Sequence, residues 1–194
     1  MKKILVLNGH PNKDSFCQAL SNAYHKGALT AGCQVDLLNL HELDFRVSFS
    51  GSYSSENQLP LEKDLKMAQE KIKWADHLVI VHPVWWGSVP ALLKGFFDRV
   101  LLPGFAFKYH SKDPFWDKLL HGKTATILYT SDTPIWVYKW FYRAPTVNML
   151  RNRVLGFCGV KTKSVVGFGA IRQSTPALRE KYLRKTEQLG AGAL

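Results

Sequence analysis

Apolar residues recur along this chain in two spacings that take turns. Ile4 to Leu7 and Leu78 to Val81 are short unbroken apolar runs, as strands buried on both faces require. Val35 with Leu37, Leu38 and Leu40, then Thr124 to Tyr129 and Lys163 to Phe168, give three more strand-length segments. Between them the period lengthens. Ala19, Leu20, Ala23 and Tyr24 share one face of a helix expected from Phe16 to about Thr30 and stopped at Gly32. Further helices are expected over 61–74, 145–157 with a stop near Gly159, and 176–189. After the third strand, Ser88 is placed to cap a helix, Pro90 falls near its first turn, and Leu92, Leu93, Phe96, Phe97 and Val100 recur at helical spacing. Five strands separated by helices predict an α/β fold, a parallel sheet with helices on both faces.

Composition narrows this to one domain over 1–194. A chain of 194 residues, 46% hydrophobic and 12% aromatic, can bury one sizeable core and has no internal repeat or linker. The apolar run at the start is only a strand's length before Asn8-Gly9, and no stretch approaches the ~20 apolar residues of a membrane span, so a cytoplasmic protein is expected. Cys17, Cys33 and Cys158 are odd in number and widely spaced, which favours buried neutral thiols over a disulfide frame or a metal site. The net charge of +11 favours anionic partners in general. It is dispersed, and Arg179, Lys181, Arg184 and Lys185 alternate with apolar residues, which suits a solvated helix face better than a nucleic-acid patch.

In a parallel sheet, ligands gather outside the carboxyl ends of the strands. Three of those ends carry distinctive residues. His10 to Ser15 leads into a helix whose free N–H groups suit a phosphate. Pro83, Val84, Trp85, Trp86 and Gly87 put two indoles on a loop, and Thr130, Ser131, Asp132 and Thr133 offer hydroxyls and backbone N–H groups. Each has a plainer reading: Ser15 as an ordinary cap, the tryptophans as a protein interface, Thr130 to Thr133 as a turn. Placed together they describe a nucleotide-like cofactor with a flat ring such as isoalloxazine. The serine-rich stretch 41–59 is expected to be a flap beside that site or a plain connection. Asp98-Arg99 is expected to form a local ion pair or to cap neighbouring loops. No GxGxxG, GxxxxGK(S/T), GxSxG or HxxxH pattern occurs, which removes support for Walker-type, acyl-hydrolase and metal-hydrolase chemistry.

The stretch PVWWGSVPALLKGFFDRVLLPGFAF resembles the signature of flavodoxin-like NAD(P)H:quinone oxidoreductases, and GHPNKDSFCQAL resembles their first phosphate-binding loop; the similarity extends through the later FCGVK. This resemblance implies a flavodoxin-like fold with strand order 2-1-3-4-5 and a non-covalently held FMN, with FAD also possible. It further implies NADPH or NADH as donor, two-electron transfer to a quinone or similar acceptor by a ping-pong route, and a homodimer with its sites at the subunit interface. By position, His10, Ser15, Phe16 and Cys17 should line the flavin phosphate, Cys17 standing where asparagine is common. Pro83, Val84, Trp85 and Trp86 should border the ring, with Thr130 to Thr133 making backbone contacts. Phe107 and Tyr109 match aromatics that line the substrate pocket from the partner subunit. The departure is at Thr130 to Pro134, where better-known members have a Thr-Thr-Gly-Gly turn followed by a Tyr and a His; here Trp136 and Trp140 follow, so no catalytic residue is assigned. Two other readings are a regulatory flavoprotein subunit of a membrane transporter and a basic nucleic-acid module, the second much the weaker.

Overall fold

The structure is a computed structural model and describes residues 1–49 and 60–193. Its strands and helices run β1 (Lys3–Asn8), α1 (Phe16–Thr30), β2 (Gln34–Asn39), α2 (Lys63–Trp74), β3 (His77–Pro83), α3 (Ala91–Val100), β4 (Phe107–Tyr109), β5 (Trp116–Lys118), β6 (Thr124–Thr130), α4 (Ile135–Trp140), α5 (Pro145–Asn148), α6 (Gly156–Cys158), β7 (Lys161–Phe168) and α7 (Pro176–Ala191). The main sheet is parallel throughout and ordered β2-β1-β3-β6-β7, which is 2-1-3-4-5 counted over its own strands. β4 and β5 stand apart as a short antiparallel hairpin.

Every residue of β3 is buried because both faces of the sheet are covered. Leu5, Leu7, Ile80 and Ile127 pack on one side with Leu65 of α2 and Leu93 and Phe96 of α3. Ile4, Val6, Val79, Val81 and Leu128 pack on the other with Leu20 and Tyr24 of α1. α1 and α7 lie side by side on that second face. They approach so closely that a Cβ on Gly27 would stand 1.9 Å from the Glu187 carbonyl, and one on Gly190 would stand 2.2 Å from that of Tyr24.

Several local expectations need correction. α3 begins at Ala91 with Pro90 at the N-cap position and no side-chain cap; Ser88 lies two residues too early and exchanges both backbone bonds with Trp85. Of the two readings of Asp98-Arg99, a pair with each other is not formed, and Arg99 instead caps a neighbouring loop. Asp98 accepts Lys94 one turn back at 2.6 Å, while the buried Arg99 forks onto Glu62 at 3.0 and 2.5 Å and donates to the Arg46 carbonyl at 2.9 Å. Arg99 therefore holds both stems of the serine-rich stretch, whose residues 50–59 lie outside the described residues, as does the expected flap they would form. The helix expected over 145–157 is wound wider in its middle, as a π-helix over Met149–Leu155. β7 begins at Lys161, earlier than its apolar pattern indicates, and the hairpin β4–β5 was not anticipated because three-residue strands carry no period.

Candidate functional site

β1, β3, β6 and β7 finish at the same edge of the sheet, and their loops line two adjoining pockets. The first, of about 300 Å³, is walled by His10, Asn12, Ser15, Phe16, Cys17, Pro83, Val84, Trp85, Thr130, Ser131, Asp132 and Ile171. The second, of about 540 Å³, is walled by Val84, Trp86, Gly87, Ser131, Asp132, Thr133, Tyr138, Tyr142 and Pro145. Val84, Ser131 and Asp132 face both. The structure thus brings every candidate from the three strand ends to this edge, with one division: Trp85 belongs to the first pocket and Trp86 to the second.

The loop after β1 is fixed by its own side chains. Asn8 Oδ1 accepts the His10 N–H at 3.1 Å, His10 Nδ1 accepts that of Asn12 at 3.0 Å, and Asn12 Oδ1 accepts that of Asp14 at 2.9 Å. Ser15 caps α1, its Oγ accepting the Gln18 N–H at 3.2 Å. The Phe16 and Cys17 N–H groups then have no partner among the described residues and stand in the wall of the first pocket. Burial holds His10 below the ordinary histidine range, so its ring is neutral near pH 7. Burial also pushes the Cys17 thiol up to about 12, and it lies 3.4 Å from Thr130 Oγ1. A neutral thiol adds no charge to repel an anion. Two unspent N–H groups, the positive end of a 15-residue helix and a hydroxyl fit the phosphate of a flavin nucleotide.

Aromatic rings frame the rest. Trp85 meets His10 edge-on, with centroids 5.3 Å apart, and so joins the first loop to the second. Trp85 and Ser88 exchange both backbone hydrogen bonds at 2.9 Å, closing a tight turn whose central residues, Trp86 and Gly87, have φ of 52° and 73°. That is the backbone of an Asn-Gly hairpin turn with tryptophan in the asparagine place. Trp86 is fully exposed, so its indole adds no buried packing to offset the strain, and the turn is held through its backbone groups. Trp86→Asn should raise Tm by about 2–4 °C, as relief of ~1 kcal/mol implies. A melting curve read beside flavin content would show whether the strained indole serves the site.

Beyond these, side-chain hydrogen bonds fix the loops around the end of β6. Ser131 Oγ accepts the Thr133 N–H at 3.1 Å, Asp132 Oδ1 accepts that of Arg172 at 2.9 Å, and Thr146 Oγ1 donates to the Gly87 carbonyl at 2.9 Å. Sequence reasoning missed Asn12, Ile171, Tyr138, Tyr142 and Pro145 as wall residues. Tyr138 and Tyr142, four apart on an aromatic segment, were the one available signal. Directly beneath the edge, His82 is wholly buried; its Nδ1–H donates to the Pro83 carbonyl at 2.9 Å, and burial lowers its pKa to about 4. Phe107 and Tyr109 are not brought to either pocket. They line a separate groove of about 230 Å³ with Lys94, Phe97 and Phe157.

Residues 2–189 match a family model described as a flavodoxin-like fold. An uncharacterized NAD(P)H oxidoreductase of Haemophilus influenzae is 29% identical over 190 residues, covering 94% of this chain and 93% of that one. Mouse ribosyldihydronicotinamide dehydrogenase (quinone) is 30% identical over 188 residues, covering 82% and 78%. Among solved structures, the NAD(P)H:quinone oxidoreductase of Methanothermobacter marburgensis superposes with a TM-score of 0.81 at 25% identity, covering 100% of this chain and 99% of that one.

Proposed function

This chain belongs to the flavodoxin-like NAD(P)H:quinone oxidoreductase family, and from that premise we propose that it passes two electrons from NADPH or NADH to a quinone or similar flat acceptor through a bound FMN. The observation that carries this is the joining of an anion cradle to an aromatic-walled pocket across Val84, Ser131 and Asp132. When bound, the flavin supplies a ring that accepts hydride from a nicotinamide and returns it to an acceptor. Ser15 and the Phe16 and Cys17 N–H groups would hold the phosphate. Pro83, Val84, Trp85 and Trp86 would border the ring, with the Thr130 to Thr133 backbone offering it hydrogen bonds. Little side-chain acid–base chemistry is needed, because the residues chiefly orient rings that stack in turn. The neutral His10 and the protonated Cys17 add no negative charge to the cradle, and the wall carboxylate of Asp132 is turned to the Arg172 N–H through Oδ1.

The exposed Trp86, Trp136, Trp140 and Phe141 form apolar surface of the kind a subunit interface covers. A homodimer would cover it and let Phe107 and Tyr109 of one chain complete the acceptor pocket of the other. No helix among the described residues is long and apolar enough to cross a membrane. Donor and acceptor that use one stacking place in turn should give parallel double-reciprocal lines when NADPH and a benzoquinone are varied together. Intersecting lines would mean that both substrates are bound at once.

A further inference from the structure

The opposite edge of the sheet holds another cavity of comparable size, about 530 Å³. It lies where the strands begin, between the sheet and the pair α1–α7. Its wall includes Lys2, Tyr24, Asp76, His77, Thr124, Thr126, Lys163 and Ser164, and none of these lines the pockets at the carboxyl edge. On this face the core is apolar at Val79, Val81 and Leu128, then turns polar at the first residues of the same strands. His77 is buried, with Nδ1 2.7 Å from Thr124 Oγ1 and Nε2 3.1 Å from Thr126 Oγ1. A neutral imidazole donates through one nitrogen and accepts through the other, and Thr126 also hydrogen-bonds the Tyr24 hydroxyl, so these side chains form one polar chain in the wall.

β7 presents two consecutive residues to this cavity. Consecutive residues of a regular strand point to opposite sides, yet Lys163 and Ser164 both line the same wall. They do so because pairing with β6 slips between Ala125 and Thr126: Ala125 sits opposite Thr162 and Thr126 opposite Ser164, which leaves Lys163 as the extra residue of a bulge. Bulges of this kind re-aim a side chain. Lys163 has no ion-pair partner among the described residues. Lys3 and Lys161 begin strands at the same edge, while Lys123 donates to the Lys73 and Ala75 carbonyls; among the described residues Asp76 is the one carboxylate in the wall.

We propose that this amino-edge cavity is a second ligand site, for a small molecule carrying a phosphate or carboxylate group. Lys163 and Lys2 supply the charge, and the hydroxyls of Ser164 and of the Thr124–His77–Thr126 chain supply directed hydrogen bonds. The site is independent of the cofactor reading, since it shares no wall with the flavin pockets.

The test is a titration of the ¹⁵N-labelled, flavin-loaded protein with inorganic phosphate in one arm and citrate in the other, with chloride matched for ionic strength. Saturable amide shifts confined to Gly122, Thr124, Lys163 and Ser164 in either arm are expected, and the arm that saturates tells phosphate from carboxylate. Lys163→Gln, on an exposed edge residue, should weaken that binding tenfold or more with the remaining spectrum unchanged; Ser164→Ala should weaken it less. Shifts that chloride reproduces, shifts confined to the His10 to Ser15 loop, or an affinity that neither variant changes would overturn the proposal.

Discussion

Ser15→Asp should leave the protein folded and strip it of flavin. Aspartate caps a helix as well as serine does and is favoured by the positive end of α1, so the α1 start is retained. The same carboxylate would stand in the wall of the first pocket, beside the uncommitted Phe16 and Cys17 N–H groups proposed to hold the phosphate. Two like charges ~4 Å apart at an effective dielectric near 20 repel by about 4 kcal/mol, and partial solvent access reduces this to roughly 3. The FMN dissociation constant should therefore rise by two to three orders of magnitude, read by quenching of flavin fluorescence, while the circular-dichroism melt stays within a few degrees. Ser15→Ala is the control. It removes one hydrogen bond and no charge balance, and should cost about 1 kcal/mol. If Ser15→Asp binds FMN as the parent does, the phosphate lies elsewhere.

Gly27→Ala should have the largest effect on stability of any methyl-sized change on α1. The new Cβ would meet the Glu187 carbonyl at 1.9 Å, and a backbone oxygen cannot swing aside as a side-chain tip can. α7 must then move off α1, and Tyr182 and Leu183 of α7 must loosen from the core they pack against. Overpacking against backbone costs about 3 kcal/mol, which in a domain of this size lowers Tm by roughly 10 °C. A melt within 2 °C of the parent would show that α7 is held less closely than its contacts indicate. The two substitutions separate the halves of α1: the first tests the proposed ligand role of its first turn, the second the packing of its last turn against α7.

Most of the sheet was legible because burial on both faces leaves unbroken apolar runs, as at Ile4 to Leu7 and Leu78 to Val81. The flavodoxin-like strand order followed from family resemblance and is the order observed. Edges were less legible. Lys161 and Thr162 open β7 without an apolar signal, and the bulge at Lys163 is set by pairing that no local pattern records. Ser88 looked like a cap because its residue type is right; the turn it closes with Trp85 depends on a strained Trp86 that propensity alone would not place at positive φ. Arg99 could not be matched to Glu62, since their contact joins segments far apart in sequence. At the site, the strand-end residues were identifiable one loop at a time. How they divide into two pockets was not, because the two indoles of adjacent residues turn to opposite sides.

The most direct measurement is the visible spectrum of the purified protein, with its chromophore released by denaturation and identified. The expected result is flavin bands at about one FMN per chain, bleached by NADPH or NADH and restored by a quinone. A protein that stays colourless and takes up neither FMN nor FAD when supplied would contradict the assignment. The tryptophan loop and the N-terminus of α1 would then have to be explained without a cofactor.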